Sequence, residues 1–339
     1  MPKRIGIGFT GTPFSVRQTV KYVQFAERTG FESAWFAEDY FLRDAITPLA
    51  CYAYATKSIK VSTGVINPYT RNPVLIAETL ATLDELSNGR AMLALGTGVS
   101  PLVEQMGITL EKPLAKIRET VHIIRSLLSG EELTFNGKTT TVRGVRLGYN
   151  PYFEPLGLFQ PVRMKIPIYV AAVGPRMLRL AGEIGDGVLL TAGASPGYVR
   201  SAVKEIRTGA ERSGRNLSQI DIANYIVLSV TKDGNPYTKG VRGFIAFELA
   251  FADQRTLELA GIPASKVVGV RDLFNRKGAA YAADLVTEEM VDAFSATGSP
   301  RKCLDRIGDY TEAGVTLPII LPLGGDVRLA IETVGSAIK

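Results

Sequence analysis

The chain has 339 residues, of which 46% are hydrophobic and 21% charged, a composition that excludes intrinsic disorder. Lys and Arg number 39 against 33 Asp and Glu, and the net charge of +6 is compatible with an anionic ligand. The basic residues are scattered, which argues against nucleic-acid binding. No apolar run approaches the roughly 18 residues that span a bilayer, and we expect no secretory signal at the N-terminus.

The first half of the chain alternates short apolar runs with amphipathic helical patterns. Gly30, Gly89 and Gly130 each follow the end of a helical pattern, and Pro73 begins another helix. We predict strands at residues 5–9, 33–36, 59–66 and 91–95, and helices at residues 16–28, 48–55, 72–86 and 112–128.

The pattern changes after residue 130 and then resumes. Residues 132–147 predict a β-hairpin with its turn at Asn136-Gly137, and residues 148–164 predict an ordered loop rich in Pro, Gly and aromatics. Residues 235–294 are mostly helical in pattern. We predict strands at residues 166–172, 188–191, 220–230 and 317–321, and helices at residues 175–183, 197–213, 300–313 and 327–338.

Several predicted strands are apolar throughout, which is typical of a parallel sheet covered on both faces. About eight strand–helix units predict an α/β fold of the (β/α)8 TIM-barrel type. We expect residues 1–339 to form one such domain, with insertions near 132–164 and 235–294. A doubly wound sheet is the alternative.

Residues that most often build metal and nucleophilic sites are scarce. Cys51 and Cys303 lie in predicted helices among apolar neighbours, so we expect two buried thiols, no disulfide and a cytoplasmic protein. The one histidine, His122, lies inside a helical pattern and has a predicted structural role. We expect no metal site. With no nucleophile–base pair either, an organic cofactor is the natural carrier of the reaction.

In a barrel of this kind the active site lies at the carboxyl ends of the strands. The segment Ala172-Val173-Gly174-Pro175-Arg176 combines a strand end, a glycine and a helix start, which suits a phosphate. A surface arginine on an ordinary turn is the alternative. The strand-end segments are residues 8–13, 37–43, 64–72, 96–101, 172–176, 191–195 and 322–326.

Two adjacent carboxylates, Glu38 and Asp39, follow the second predicted strand. Neighbouring residues on an extended segment point to opposite sides, so at most one of them faces the barrel mouth. The alternative is that both are solvated or cap a helix.

Six stretches, in order along almost the whole chain, carry a resemblance to a known family: residues 67–73, 82–90, 111–118, 180–187, 293–300 and 322–326. On these stretches the chain resembles the bacterial-luciferase-like superfamily of flavin and deazaflavin barrels. Within it, the chain is most similar to the coenzyme F420-dependent 5,10-methylenetetrahydromethanopterin reductases.

The resemblance implies a cofactor site at three strand ends. It implies a cis peptide at Gly64–Val65, in a bulge that presses on the deazaflavin ring. The strand end at residues 96–98 would border the ring, and the strand end at residues 172–176 would hold the cofactor phosphate. The implied cofactor-binding residues are Gly64, Val65, Ile66 and Asn67; Gly96, Thr97 and Gly98; and Ala172, Val173, Gly174, Pro175 and Arg176.

This chain departs from the pattern of these reductases in two places. The reductases carry a glutamate in the first strand, where this chain has Gly8, and Asp-His after the second strand, where this chain has Glu38-Asp39. The expected catalytic carboxyls are therefore Glu38 and Asp39. We favour Glu38 as the general acid, because it stands in the place of the aspartate and has the longer reach.

The function implied by the resemblance is hydride transfer between F420 and a pterin-type carrier of one-carbon units, by a homodimer or homotetramer. A net positive charge suits the negative oligoglutamyl tail of F420. The alternatives are an FMN-dependent monooxygenase on the same barrel and a non-catalytic flavin-binding barrel.

Overall fold

The computed structural model describes residues 4–152, 159–233 and 235–338. Strands and helices alternate through most of these residues. The strands are β1 (Gly6–Phe9), β2 (Ser33–Phe36), β3 (Lys60–Thr63), β4 (Ala91–Leu95), β5 (Leu133–Asn136), β6 (Thr141–Val145), β7 (Ile168–Ala171), β8 (Gly187–Leu190), β9 (Asp221–Val230), β10 (Ser295–Gly298) and β11 (Leu317–Gly325).

Short loops connect most of the helices to the strands. The helices are α1 (Val16–Arg28), α2 (Ile46–Ala55), α3 (Pro73–Leu86), α4 (Ser100–Gln105), α5 (Pro113–Leu128), α6 (Pro175–Ile184), α7 (Pro196–Arg212), α8 (Lys239–Phe251), α9 (Gln254–Leu259), α10 (Ala264–Lys277), α11 (Ala279–Ala282), α12 (Glu288–Phe294), α13 (Pro300–Glu312) and α14 (Val327–Ile338). Among the helices so described, none has the length and apolar character needed to cross a membrane.

Eight parallel strands close into a barrel, in the order β1-β2-β3-β4-β7-β8-β9-β11 and back to β1. The long strand β9 closes the ring, since its first half pairs with β8 and most of its length pairs with β11. The predicted (β/α)8 fold is thus confirmed, and the doubly wound alternative is wrong.

Helix α3 begins where its sequence signal predicts. Asn72 precedes Pro73, the first residue of the helix, and its side chain accepts the N–H of Val74.

Large side chains fill the barrel interior. Trp35, Tyr169, Tyr225 and Ile319 are buried there, and Trp35 packs edge-on against Tyr169 with ring centroids 5.2 Å apart. The opposite face of each strand packs against the surrounding helices. A ligand therefore has room only at an end of the barrel.

An ion-pair cluster closes the amino-terminal end of the barrel. Arg4 donates to Glu32 at 2.6 Å and to Asp221 at 2.6 Å, and the Tyr169 hydroxyl donates to Asp221 at 2.8 Å. Lys60 adds a second cation, 2.8 Å from Glu32. With this end occupied by paired charges, the carboxyl end is the open mouth.

The hairpin and one strand differ in detail from prediction. Asn136 pairs with Thr141, so the turn spans four residues rather than the two residues Asn136-Gly137, and the Glu119 carboxylate binds the N–H groups of Lys138 and Thr139 within it. Strand β10 was not predicted, because its sequence Ser-Ala-Thr-Gly lacks an apolar run. The predicted loop 148–164 includes residues 153–158, which lie outside the described residues.

The expectation for Cys51 is wrong, whereas Cys303 is buried as predicted. Cys51 lies on α2, where apolar residues occupy every side of the helix, so the sequence pattern could not tell its inner face from its outer face. His122 lies on α5 and packs against Phe135 of the hairpin at a ring distance of 5.2 Å.

Candidate functional site

A bulge ends β3 at the mouth of the barrel. The Gly64–Val65 peptide is cis, as the sequence resemblance implied. Gly64 donates its N–H to Phe36 at 2.8 Å, and Val65 accepts the N–H of Glu38 at 3.1 Å, so the bulge is fixed to the end of β2. The Val65 side chain is partly exposed at the mouth, whereas Ile66 is 1% exposed and packs into the core.

Asn67 ties three strand ends together. It is fully buried, and its Nδ2 donates to the Tyr40 hydroxyl at 2.8 Å and to the Thr97 carbonyl at 2.9 Å. Its Oδ1 accepts the N–H of Tyr69 at 2.8 Å. The amide is thus engaged within the protein, so Asn67 positions the loops of the mouth.

The ends of β3, β4 and β7 lie side by side between the bulge and the start of α6. A Cβ on Gly96 would lie 2.8 Å from Val65 and 3.2 Å from Ala171, so Gly96 lets the ends of β3, β4 and β7 approach one another. Nothing lies within 4 Å of a Cβ on Gly174, the residue that caps α6. The exposed Arg176 is in the first turn of the helix.

The amino-terminal end of α6 is therefore open. Val173 is 51% exposed, and its carbonyl accepts a hydrogen bond from the Tyr198 hydroxyl, which fixes the turn in front of the helix. The first N–H groups of a helix have no partner inside it and carry the positive end of the helix dipole. This end of α6 can bind an anion, with the Arg176 guanidinium beside it.

Tyr225 explains the glycine in the first strand. A Cβ on Gly8 would lie 2.4 Å from the Tyr225 ring, and one on Gly64 would lie 1.9 Å from its hydroxyl. The hydroxyl donates to the Gly64 carbonyl at 3.1 Å. The Tyr225 ring thus occupies the space next to Gly8 inside the barrel, and its hydroxyl supports the bulge at Gly64.

The two predicted carboxyls both have partners in neighbouring loops. Glu38 is 3.2 Å from Arg71, and its side chain is 12% exposed. Asp39 accepts the N–H of Gly11 at 2.5 Å. Burial raises the pKa of Asp39, although its hydrogen bonds from Gly11 and Thr10 oppose the rise. Arg71 thus supplies a counter-charge beside Glu38, whereas burial favours protonation of Asp39.

A third carboxyl at the mouth, Glu248 on α8, was not predicted. It accepts a hydrogen bond from the Thr191 hydroxyl at 3.3 Å and lies beside the N–H of Gly193, both just past β8. Burial raises the pKa of Glu248 to about 7. The sequence placed residues 191–195 at the mouth, but it gave no sign that an inserted helix brings a carboxyl to them.

Comparison with known proteins finds a matching family. The family model described as luciferase-like monooxygenase matches residues 1–317. The chain is 35% identical to the 5,10-methylenetetrahydromethanopterin reductase of Methanolobus tindarius, covering 95% of this chain and 96% of the relative. It is 36% identical to the enzyme of that name from Archaeoglobus fulgidus, covering 94% and 93%.

A solved structure is similar over the same extent. The coenzyme F420-dependent tetrahydromethanopterin reductase from Methanopyrus kandleri superposes with a TM-score of 0.86 at 30% identity, covering 98% of this chain and 97% of the other.

Proposed function

The chain belongs to the luciferase-like monooxygenase family, and on that premise we propose that it is a coenzyme F420-dependent oxidoreductase. Its substrate is a pterin that carries a one-carbon unit at the oxidation level of a methylene group. The identity of 35–36% over almost the full length to reductases named for that substrate supports the assignment.

One observation carries the cofactor assignment. The partly exposed Val65 of the bulge, the side-chain-free Gly96 and the open start of α6 lie at the ends of three adjacent strands, β3, β4 and β7. A flat ring fits against the bulge, and a phosphate fits the N–H groups of α6 and the Arg176 guanidinium. The residues present therefore fit F420.

Bound F420 would supply a hydride in such a site, and the chain's own residues would orient it. Val65 would support one face of the ring and leave the other face for the substrate. Tyr225 supports the bulge through the Gly64 carbonyl. Asn67 fixes the loops on either side. The roles of Glu38 and Asp39 as proton donors remain predictions.

The experiment is an anaerobic assay with reduced F420 and methylene-tetrahydromethanopterin. We expect pterin-dependent oxidation of the reduced cofactor, followed by absorbance, and saturable binding of F420, followed by its fluorescence. FMN binding without F420 binding, together with oxygen consumption by reduced FMN, would contradict the proposal and support the monooxygenase alternative. F420 binding without turnover of any pterin would contradict only the substrate.

A further inference from the structure

Helix α8 lies across the edge of the barrel mouth. A Cβ on Gly324, near the end of β11, would lie 2.8 Å from Val241 in the first turn of α8. At the other end of the helix, Glu248 contacts Gly193 just past β8. Strand β9 lies between β11 and β8, so α8 bridges two strand ends over a third. A side chain on its inner edge faces any ligand in the mouth.

Gly193 leaves room for the Glu248 carboxyl. A Cβ at this position would lie 2.4 Å from Glu248 Oε2, so only glycine is compatible with the observed side chain. The groups beside the carboxyl are neutral: the Thr191 hydroxyl donates to it at 3.3 Å, and the N–H of Gly193 lies next to it. A partly buried carboxylate with neutral neighbours is less stable than one paired with a cation, and protonation relieves that cost.

Charged groups on the neighbouring helices are engaged elsewhere. Arg271 of α10 donates to the carbonyls of Leu249 and Ala252 at the end of α8. Within the residues that the structure describes, no cation is recorded in an ion pair with Glu248. The ion pairs on the elements around α8 are Lys239 with Asp284, Arg242 with Glu288, Lys266 with Glu289, and Lys302 with Asp292.

Other carboxyls at the strand ends hold the protein together instead. Glu38 is paired with Arg71, and Asp39 binds the N–H of Gly11. Asp326 accepts the N–H groups that begin α14. Asp39 and Glu248 are the two of these four carboxyls whose protonation burial favours, and Glu248 is the one that lies on α8.

An aromatic surface continues from Glu248 along α8. Phe244 and Phe251 stand one turn before and after it, and Phe247 lies between them with ring centroids 6.4 and 5.1 Å away. Phe251 is 48% exposed. Phe247 and Phe251 also pack against Phe274 of α10, so the row is held in place. A row of rings beside a carboxyl suits a flat, nitrogen-bearing heterocycle.

We propose that Glu248 donates the proton that opens the substrate for reduction. This rests on the proposed function. The carboxyl proton passes to one nitrogen of the N–CH2–N bridge, and the bond from that nitrogen to the methylene carbon breaks with its electron pair on the nitrogen. The methylene carbon, now an iminium carbon on the other nitrogen, accepts the hydride and becomes a methyl group. Water then returns a proton to the Glu248 carboxylate.

Two measurements on Glu248→Gln test the proposal. In the protein without cofactor, infrared difference spectra of the wild type should show a carboxyl that titrates near pH 7 and is missing from the variant. In the pterin-dependent assay, kcat of the wild type should fall as pH rises above about 7, because the acid is then ionised. The variant should lose roughly 10²–10⁴-fold in kcat and that pH dependence, with F420 affinity unchanged.

Controls separate a donor from a positioning group. Glu258→Gln changes an exposed glutamate on α9 and should leave the pH profile as in the wild type. Glu248→Asp keeps the proton at shorter reach and should recover part of kcat. A Glu248→Gln variant with normal kcat and an unchanged pH limb overturns the proposal, as does the absence of a carboxyl titrating near neutrality. A wild type that binds F420 but turns over no pterin instead overturns the proposed substrate, whatever the infrared result.

Discussion

Substituting Gly8 by alanine should destabilise the barrel because Tyr225 occupies the adjoining space. The added Cβ would lie 2.4 Å from the Tyr225 ring and 3.2 Å from Ile319. Real Cβ atoms do not approach other atoms to 2.4 Å, so a neighbour must move. The ring cannot swing away easily, since it is 8% exposed and its hydroxyl is bonded to the Gly64 carbonyl. Overpacking of this kind costs about 1–3 kcal/mol, and we expect the upper half of that range.

Urea unfolding of four proteins measures the effect: the wild type, Gly8→Ala, Tyr225→Ala and the double variant. Removing the ring alone leaves a cavity and should cost about 3–5 kcal/mol. In its absence the new methyl group no longer collides, so the double variant should be more stable than additivity predicts by about 1–3 kcal/mol. Gly308→Ala is the control, since nothing lies within 4 Å of its Cβ and alanine favours the helix.

The expected pattern can fail in two ways. If Gly8→Ala unfolds at the wild-type urea concentration, the barrel tolerates a side chain there, and Tyr225 does not explain the glycine. If the two single effects add to within about 0.5 kcal/mol, the methyl group and the ring do not compete for one space.

Other predictions concern the anion site, the loop clamp and two ion-pair clusters. Arg176→Ala should raise the Kd of F420 at least about tenfold in a fluorescence titration, because a charge-assisted contact is worth roughly 1.5–3 kcal/mol. The control is Arg179→Ala, which changes another arginine of α6 that is paired with Glu205 of α7. Asn67→Ala leaves partly buried groups of Tyr40, Tyr69 and Thr97 unpaired and should cost about 1–3 kcal/mol in all, seen as a lower thermal midpoint. Arg163→Ala leaves the fully buried Asp84 carboxylate without its cation and should cost about 3–5 kcal/mol in urea unfolding. Burial tends to raise the pKa values of Glu32 and Asp221, but their hydrogen bonds and ion pairs, chiefly those with Arg4, together outweigh it and lower both. The stability that these carboxylates contribute is present above their ordinary pKa near 4 and is lost as pH falls through the lower folded values. Arg4→Met should therefore weaken this acid dependence of the unfolding free energy.

Local signals were enough for most of the architecture. Asn72-Pro73 and the glycines past the helix ends predicted helix boundaries, because capping chemistry acts within a few residues. The strands buried on both faces predicted a parallel barrel. Strand β10 was missed because tertiary pairing with β9, rather than its own sequence, makes it a strand. The two-residue hairpin turn was wrong because Glu119, 19 residues away from Lys138, binds the turn's N–H groups.

The contents of the site depend on contacts that no local pattern reveals. Tyr225 and Gly64 are 161 residues apart, and the glycine at position 8 has a reason only when the ring above it is seen. Glu248 belongs to an insertion, and its proximity to Gly193 follows from how α8 crosses the mouth. The sequence therefore predicted the backbone elements of the site better than the side chains that enter it.

The position of Tyr225 limits where the barrel can carry an acidic side chain for the substrate. A glutamate at position 8 would begin with a Cβ that collides with the Tyr225 ring, so this chain cannot place an acid in its first strand while it keeps that tyrosine. Losing the tyrosine would remove the support of the bulge at Gly64, on which the cofactor surface depends. An acid for the substrate must then come from the rim rather than the floor of the mouth, and α8 brings one to the rim. Gly8→Glu should consequently fail to restore activity to Glu248→Gln, because the new side chain displaces the ring that shapes the cofactor surface.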